Sequence, residues 1–168
     1  MTGATIRPFR SADAAACLRL RAEAFRRVFA AEMPAAAVAG GVRAWIPASF
    51  ARAAGERPTF VAEAAAEIVG FATLRFLDRG TAELLYLYVD LDHVRRGIGT
   101  RLLAHAEDWL RRHRPDVRRL ELDTAVPAYN RAFYEKRGFS VVGEGRVDYP
   151  DGSSAPTVRM ARALEPDA

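Results

Sequence analysis

Cysteine, lysine and histidine are scarce in this chain of 168 residues, and each scarcity excludes something. Cys17 is the one cysteine, so no internal disulfide can close and no thiolate-rich zinc site can be built. The three histidines, His93, His105 and His113, lack the usual metal partners, and no metal is assigned. No apolar run approaches the length of a membrane span. Arg7 and Arg10 interrupt the first residues, which therefore lack the apolar core of a signal peptide. A cytoplasmic location with no membrane partner is the expectation.

Lys136 is the single lysine among 25 basic residues, the other 24 being arginines, and the net charge is +4. Codon usage in a GC-rich genome explains such a skew, since it also favours the abundant alanine; nucleic-acid binding is the sharper alternative. Against it, the arginines are scattered among acids such as Glu23, Glu56, Glu107 and Asp108, without a basic block or interleaved stacking aromatics. No nucleic-acid partner is expected. Half of the residues are hydrophobic, enough for one domain with a substantial core over residues 1–168.

Residues 5–9 read as a short strand, and Ser11-Ala12-Asp13 as the start of a helix reaching about Ala31, with Cys17, Leu20, Ala24 and Val28 at helical spacing. Met33-Pro34 breaks it. Residues 35–55 read as a second helical region, interrupted at Gly40-Gly41 and at Pro47, with Trp45 and Phe50 turned inward. Residues 59–64 and 68–76 suit two strands with a bulge near Gly70, and Asp78-Arg79-Gly80 turns the chain into the next one. That strand, residues 82–89, is almost continuous in Leu, Tyr and Val, as expected for the sheet centre.

From Gly97 to about His113 the residues Ile98, Leu102, Ala106, Trp109 and Leu110 form one apolar stripe. Glu107 with Arg111 and Asp108 with Arg112 are favourably ordered pairs along it. Residues 119–123 then form a strand that should lie parallel to 82–89, with a ligand crevice at the carboxyl ends of the two. After Pro127, residues 128–137 read as a short helix ended by Gly138. Residues 139–146 and 157–162 make a last hairpin around Tyr149-Pro150-Asp151-Gly152, and the tail from Glu165 should fray.

The stretch Asp92-His93-Val94-Arg95-Arg96-Gly97-Ile98-Gly99-Thr100 organises the rest. A strand, a turn of small residues and a helix start leave the first helical amides free to face an anion. Gly97 and Gly99 would allow its close approach, and Arg95 and Arg96 add full charges. A Rossmann fingerprint would need Gly where Leu102 stands, and a Walker loop would need Gly-Lys-Ser/Thr.

Two separated motifs now coincide with this order of elements. Leu87-Tyr88-Val89, followed eight residues after Val89 by Gly97-Ile98-Gly99, resembles the CoA motif of the GNAT superfamily of acyl-CoA-dependent N-acetyltransferases. Asn130-Arg131-Ala132-Phe133-Tyr134-Glu135-Lys136-Arg137-Gly138-Phe139 resembles its second motif. One departure stands at Val94, where the family usually carries Gln or Arg; a backbone cradle still keeps the Val94 amide.

The resemblance implies a mixed α+β fold: a mostly antiparallel sheet of about six or seven strands with one splayed parallel pair, flanked by about four helices. It implies acetyl-CoA as the acyl donor, held by amides from Arg95 through Thr100 and by the backbone of Leu87, Tyr88 and Val89. Asn130 would contact the cofactor arm, and Tyr134 would protonate the departing thiolate. Glu83, six residues before Val89, stands where one branch of the family carries a carboxylate base. A base or a water chain is needed because an alkylamine is mostly protonated at neutral pH, a handicap of roughly 4 to 5 kcal/mol. The acceptor would be a primary amine on a small molecule or a protein, bound by residues 29–57 and 148–154. A CoA-binding module without catalysis is the other reading, and a homodimer is left open.

Overall fold

The near-continuous apolar run at Thr81–Val89 becomes the middle strand of a seven-stranded sheet in a computed structural model that describes residues 3–31, 33–125 and 128–165. The strands are β1 (Thr5–Pro8), β2 (Thr59–Ala64), β3 (Glu67–Phe76), β4 (Thr81–Val89), β5 (Arg119–Ala125), β6 (Ser140–Asp148) and β7 (Ser154–Ala163). Their order is β1-β2-β3-β4-β5-β7-β6, and every neighbouring pair is antiparallel except β4 with β5. The mixed fold and the single parallel pair agree with the sequence expectation. Pro127 and the tail beyond Glu165 lie outside the described residues.

Among the described residues five α-helices cover the sheet: α1 (Ala14–Arg27), α2 (Ala35–Arg43), α3 (Pro47–Gly55), α4 (Ile98–His113) and α5 (Ala128–Glu135). The stripe of α4 buries Ile98, Leu102, Ala106 and Leu110 against Val69, Ala72, Leu84, Leu120 and Leu122. Each of the Ile, Leu and Val side chains, removed from water, contributes roughly 1.5–3 kcal/mol before entropy is counted. On the opposite face Cys17 and Leu20 of α1 and Phe50 and Ala54 of α3 pack on Val61 and Phe71. A third cluster joins Phe25, Phe29, Met33 and Ala37 to Tyr149 beside the β6–β7 turn.

Two expectations are corrected. Gly40 and Gly41 do not interrupt a helix but lie inside α2. A Cβ at Gly41 would overlap the ring of Phe25, and one at Gly40 would meet Ser153 and Asp151, so both glycines permit close packing that helix propensity alone argues against. The carboxylate of Asp108 is also met differently: Arg111 reaches it at 2.7 Å, while Arg112 donates to the Asp108 carbonyl. The Glu107–Arg111 pair is present at 3.7 Å.

Bulges set which side chains face where. Ala62 pairs with Gly70 but Glu63 with Ile68, so Val69 is an additional residue beside the glycine marked in the sequence. In β4, Leu84 pairs with Leu74 but Tyr86 with Thr73, which leaves Leu85 as the additional residue. Strict alternation would send Glu83 and Tyr86 to opposite faces. The bulge instead turns Glu83, Tyr86 and Tyr88 toward one cavity and leaves Leu84, Leu87 and Val89 packed on the α4 side.

Candidate active site

The parallel ladder is short: Thr81, Ala82 and Glu83 pair with Arg119, Leu120 and Glu121. Both strands run on, β4 to Val89 and β5 to Ala125, so they part beyond Glu83 and leave a wedge at their carboxyl ends. The crevice expected between these strands is there.

Beyond β4 the chain makes a 3₁₀ turn at Leu91–His93, opened by the Asp90 carboxylate accepting from the Asp92 amide at 2.8 Å. Val94 is extended and exposed. Arg95 takes a left-handed conformation at φ +62°, unusual for a residue with a Cβ, and Gly97 follows at φ +78° as the N-cap of α4. A helix that starts here leaves the amides from Gly97 through Thr100 without acceptors inside the helix. Arg95 and Arg96 are exposed beside them, whereas the Ile98 side chain is buried, so only its amide faces outward.

Residues of α5 meet this helix start. The ring of Phe133 stands 3.4 Å from where a Cβ at Gly99 would lie. Arg137 lies over that ring at 3.7 Å, donates to the Phe133 carbonyl and hydrogen-bonds the Thr100 hydroxyl. A guanidinium is thereby fixed at the positive end of α4, beside amides that have no acceptor within the helix. The sequence places Arg137 in the second motif but gives it no role of its own.

A cavity of about 590 Å³ opens along the wedge. Glu83, Leu87, Tyr88, Asn130 and Tyr134 line it together, whereas Val89 and the Val94 to Thr100 segment lie outside its lining. Asn130 and Tyr134 are one helical turn apart and share a face of α5. Tyr134 meets Phe133 and Phe139 edge-on at 5.1 and 5.7 Å, which orients the ring. Glu83 is 4% exposed and accepts from Arg75 Nε at 2.6 Å through Oε2. Asp123, also in the lining, is gripped by Arg159 at 2.9 and 3.1 Å, which raises the arginine's pKa further.

The far wall is aromatic. Phe25, Phe29, Trp45, Tyr86, Tyr88 and Tyr149 line it with Met33. Burial pushes the Tyr149 phenol up to about 12, and it raises Tyr88 too, against the opposing effect of the nearby Arg21 guanidinium. Phe29, Met33, Trp45, Asp148 and Tyr149 fall in segments expected to hold the acceptor, while Arg21 and Phe25 of α1 lie outside them. The signal for Arg21 was its position, since it falls inside the Cys17, Leu20, Ala24 stripe.

Among the described residues no cluster of three or more His, Cys, Asp or Glu could hold a metal ion. Likewise, no helix among them is long and apolar enough to cross a membrane.

Comparison with known proteins returns the same arrangement. A GCN5-related N-acetyltransferase from Rhodopseudomonas palustris superposes with a TM-score of 0.83 at 24% identity, covering 98% of each chain. The PaiA N-acetyltransferase of Thermoplasma acidophilum, solved in complex with coenzyme A, gives 0.79 at 19% identity, covering 95% of this chain and 98% of its own. YncA of Salmonella typhimurium, solved with its cofactor acetyl-CoA, gives 0.75 at 20% identity, covering 98% and 96%. At these identities the likeness is one of fold. No curated protein matches the chain in sequence. The model of the Acetyltransferase (GNAT) family matches residues 15–139, well over half of the sequence, and to that family the chain belongs.

Proposed function

We propose that residues 1–168 form a single N-acetyltransferase domain that moves the acetyl group of acetyl-CoA to a primary amine of a small molecule or protein. The observation that carries this reading is the wedge between β4 and β5, which joins a helix start suited to a pyrophosphate to a cavity lined by Glu83, Asn130 and Tyr134. Two structural neighbours were solved with CoA or acetyl-CoA, which supports the same donor here. When bound, that donor supplies an acyl thioester activated for attack.

The chain's own groups then divide the work. Amides from Arg95 through Thr100 hold the diphosphate, with Val94 contributing no side-chain contact, and the backbone of Leu87, Tyr88 and Val89 pairs with the pantetheine arm. Asn130 hydrogen-bonds that arm. Glu83 takes the proton that the amine must lose, and a backbone amide near Tyr88 stabilises the oxyanion, a donor worth about 3 kcal/mol. Tyr134 returns a proton to the leaving sulfur.

Thermal melts with acetyl-CoA and turnover on a broad amine panel test the reading. At a hundredfold excess over the dissociation constant, binding should add about 2.7 kcal/mol to stability. No shift at millimolar CoA overturns the donor site. A shift without transfer to any amine leaves a CoA-binding module in place of an enzyme.

A further inference from the structure

Three arginines line the cavity, Arg21, Arg75 and Arg146, and two of them are neutralised within it. Arg75 pairs with Glu83 at 2.5 Å and Arg146 with Asp148 at 3.3 Å. Arg21 is the most buried of the three at 6% exposure, yet among the described residues it meets no carboxylate, only the Gly41 carbonyl, the Tyr88 hydroxyl and the faces of Phe25 and Tyr86, at 4.7 and 5.8 Å. Its Nε is buried without a hydrogen-bond partner. A guanidinium stays charged at any physiological pH, and a buried charge without a counter-ion is costly. Aromatic faces, one carbonyl and one phenol offset that cost only in part.

The carboxylates that line the same cavity at the β4–β5 fork, Glu83 and Asp123, already have their own arginines, Arg75 and Arg159. A buried cation on α1 without a carboxylate partner, set among aromatic rings in the cavity, matches a molecule with an anionic group and an apolar body, to which acetyl transfer adds an amine. We infer that Arg21 anchors a carboxylate of the acceptor, so that the amine acetylated here belongs to a small apolar amino acid. This rests on the N-acetyltransferase reading above and adds the acceptor class to it. Capping the end of α2 through Gly41 uses Arg21 Nη1, and among the described residues Nε is left without a partner.

The test uses the full chain and acceptor pairs that differ only in the carboxylate: L-phenylalanine with 2-phenylethylamine, L-leucine with 3-methylbutylamine, and 6-aminohexanoate with pentylamine. In the wild type, kcat/KM should favour the acid by about tenfold or more in at least one pair. In Arg21→Met that ratio should fall to about one, and Arg21→Lys should recover part of it, because a cation returns without the planar fork. The CoA-dependent melting shift reports whether each variant is folded. Calorimetric titration of the wild type with each pair, in the presence of CoA, repeats the comparison without turnover and without a mutation. Bare amines that react and bind as well as the acids overturn the assignment while acetyl transfer stands. A preference that survives in folded Arg21→Met overturns the role of Arg21. If no amine reacts, the acetyltransferase reading fails, and the titration alone decides whether the cavity prefers the carboxylate.

Discussion

Glu83 and Glu121 are register partners at the last pair of the β4–β5 ladder, two acids side by side on neighbouring strands. Each is held by arginine: Arg75 takes Glu83 at 2.6 Å, and Arg119 and Arg159 take Glu121 at 2.6 and 3.4 Å. Like charges placed in this way repel, so the arginines are what allow the pair to be there. Removing Arg75 as Arg75→Met should destabilise the fold by about 1–3 kcal/mol, because Glu83 is left buried beside a second acid. Glu83→Gln should cost less, and the double variant should be more stable than the sum of the two single losses. Urea denaturation of the four proteins measures the cycle; additive losses would mean that Glu83 and Arg75 are not coupled.

Tyr134→Phe deletes one hydroxyl and preserves the edge-on packing against Phe133 and Phe139. CoA affinity should hold while kcat falls on the order of a hundredfold, the usual scale of general acid assistance. A single-turnover measurement on the best amine isolates chemistry from product release. Unchanged chemistry would return Tyr134 to a packing role.

At the start of α4 two glycines should fail differently. Gly97→Ala forces a Cβ into φ +78° and should cost about 1–2 kcal/mol of stability, although space around the added methyl is open. Gly99→Glu brings a carboxylate toward Val89 and Phe133, into the mouth of the wedge, and should abolish CoA binding before it unfolds the chain. Melting curves with and without CoA separate the two; a Gly99→Glu protein that binds CoA normally would put the phosphates elsewhere.

Cys17 is fully buried, and that burial pushes its thiol up to about 12. The native protein should therefore resist iodoacetamide at pH 8 and react once in urea. Mass spectrometry of the alkylated protein reads this directly, and rapid labelling of the folded chain would contradict the packing of α1 on the sheet.

His105 packs edge-on against Phe60 at 4.7 Å, and burial, with help from Arg112, holds its pKa below the ordinary 6.5. The unfolded chain then takes up this proton first as pH falls. Its contribution is complete above about pH 6.5 and is lost as pH drops through that value toward the folded pKa. Asp13, whose carboxyl Arg7 holds below the usual range, acts in the same direction but in a lower window, below about pH 3.9. Stability measured from pH 7.5 to 5 should decline, and His105→Gln should flatten the decline.

Much of this was legible in the chain because the signals were local. The unbroken Leu/Tyr/Val run marked β4 as central, the Ile98 to Leu110 stripe marked α4, and the crossover between parallel strands marked the crevice. What stayed hidden depended on contacts between distant segments. Nothing near Gly40-Gly41 says that Phe25 and Asp151 will occupy the space where side chains would be. The pairing of Arg75 with Glu83 follows from cross-strand register, and the placing of Glu83 beside Tyr86 from the bulge at Leu85, neither of which alternation alone reveals. The bulge did leave a trace: Glu83 is out of phase with Tyr86 and Tyr88.

Among the described residues, the three-pair seam between β4 and β5 is the shortest ladder in the sheet and the only parallel one. Parallel pairing is also slightly weaker per residue. Under a load drawn across the sheet from β1 at one edge to β6 at the other, the seam is the stitch that parts first. It would divide the molecule into a four-stranded piece that keeps α4 and a three-stranded piece made of β5, β7 and β6, bridged by the side chains that α4 lays over both and by the packing of Phe25 and Ala37 on Tyr149.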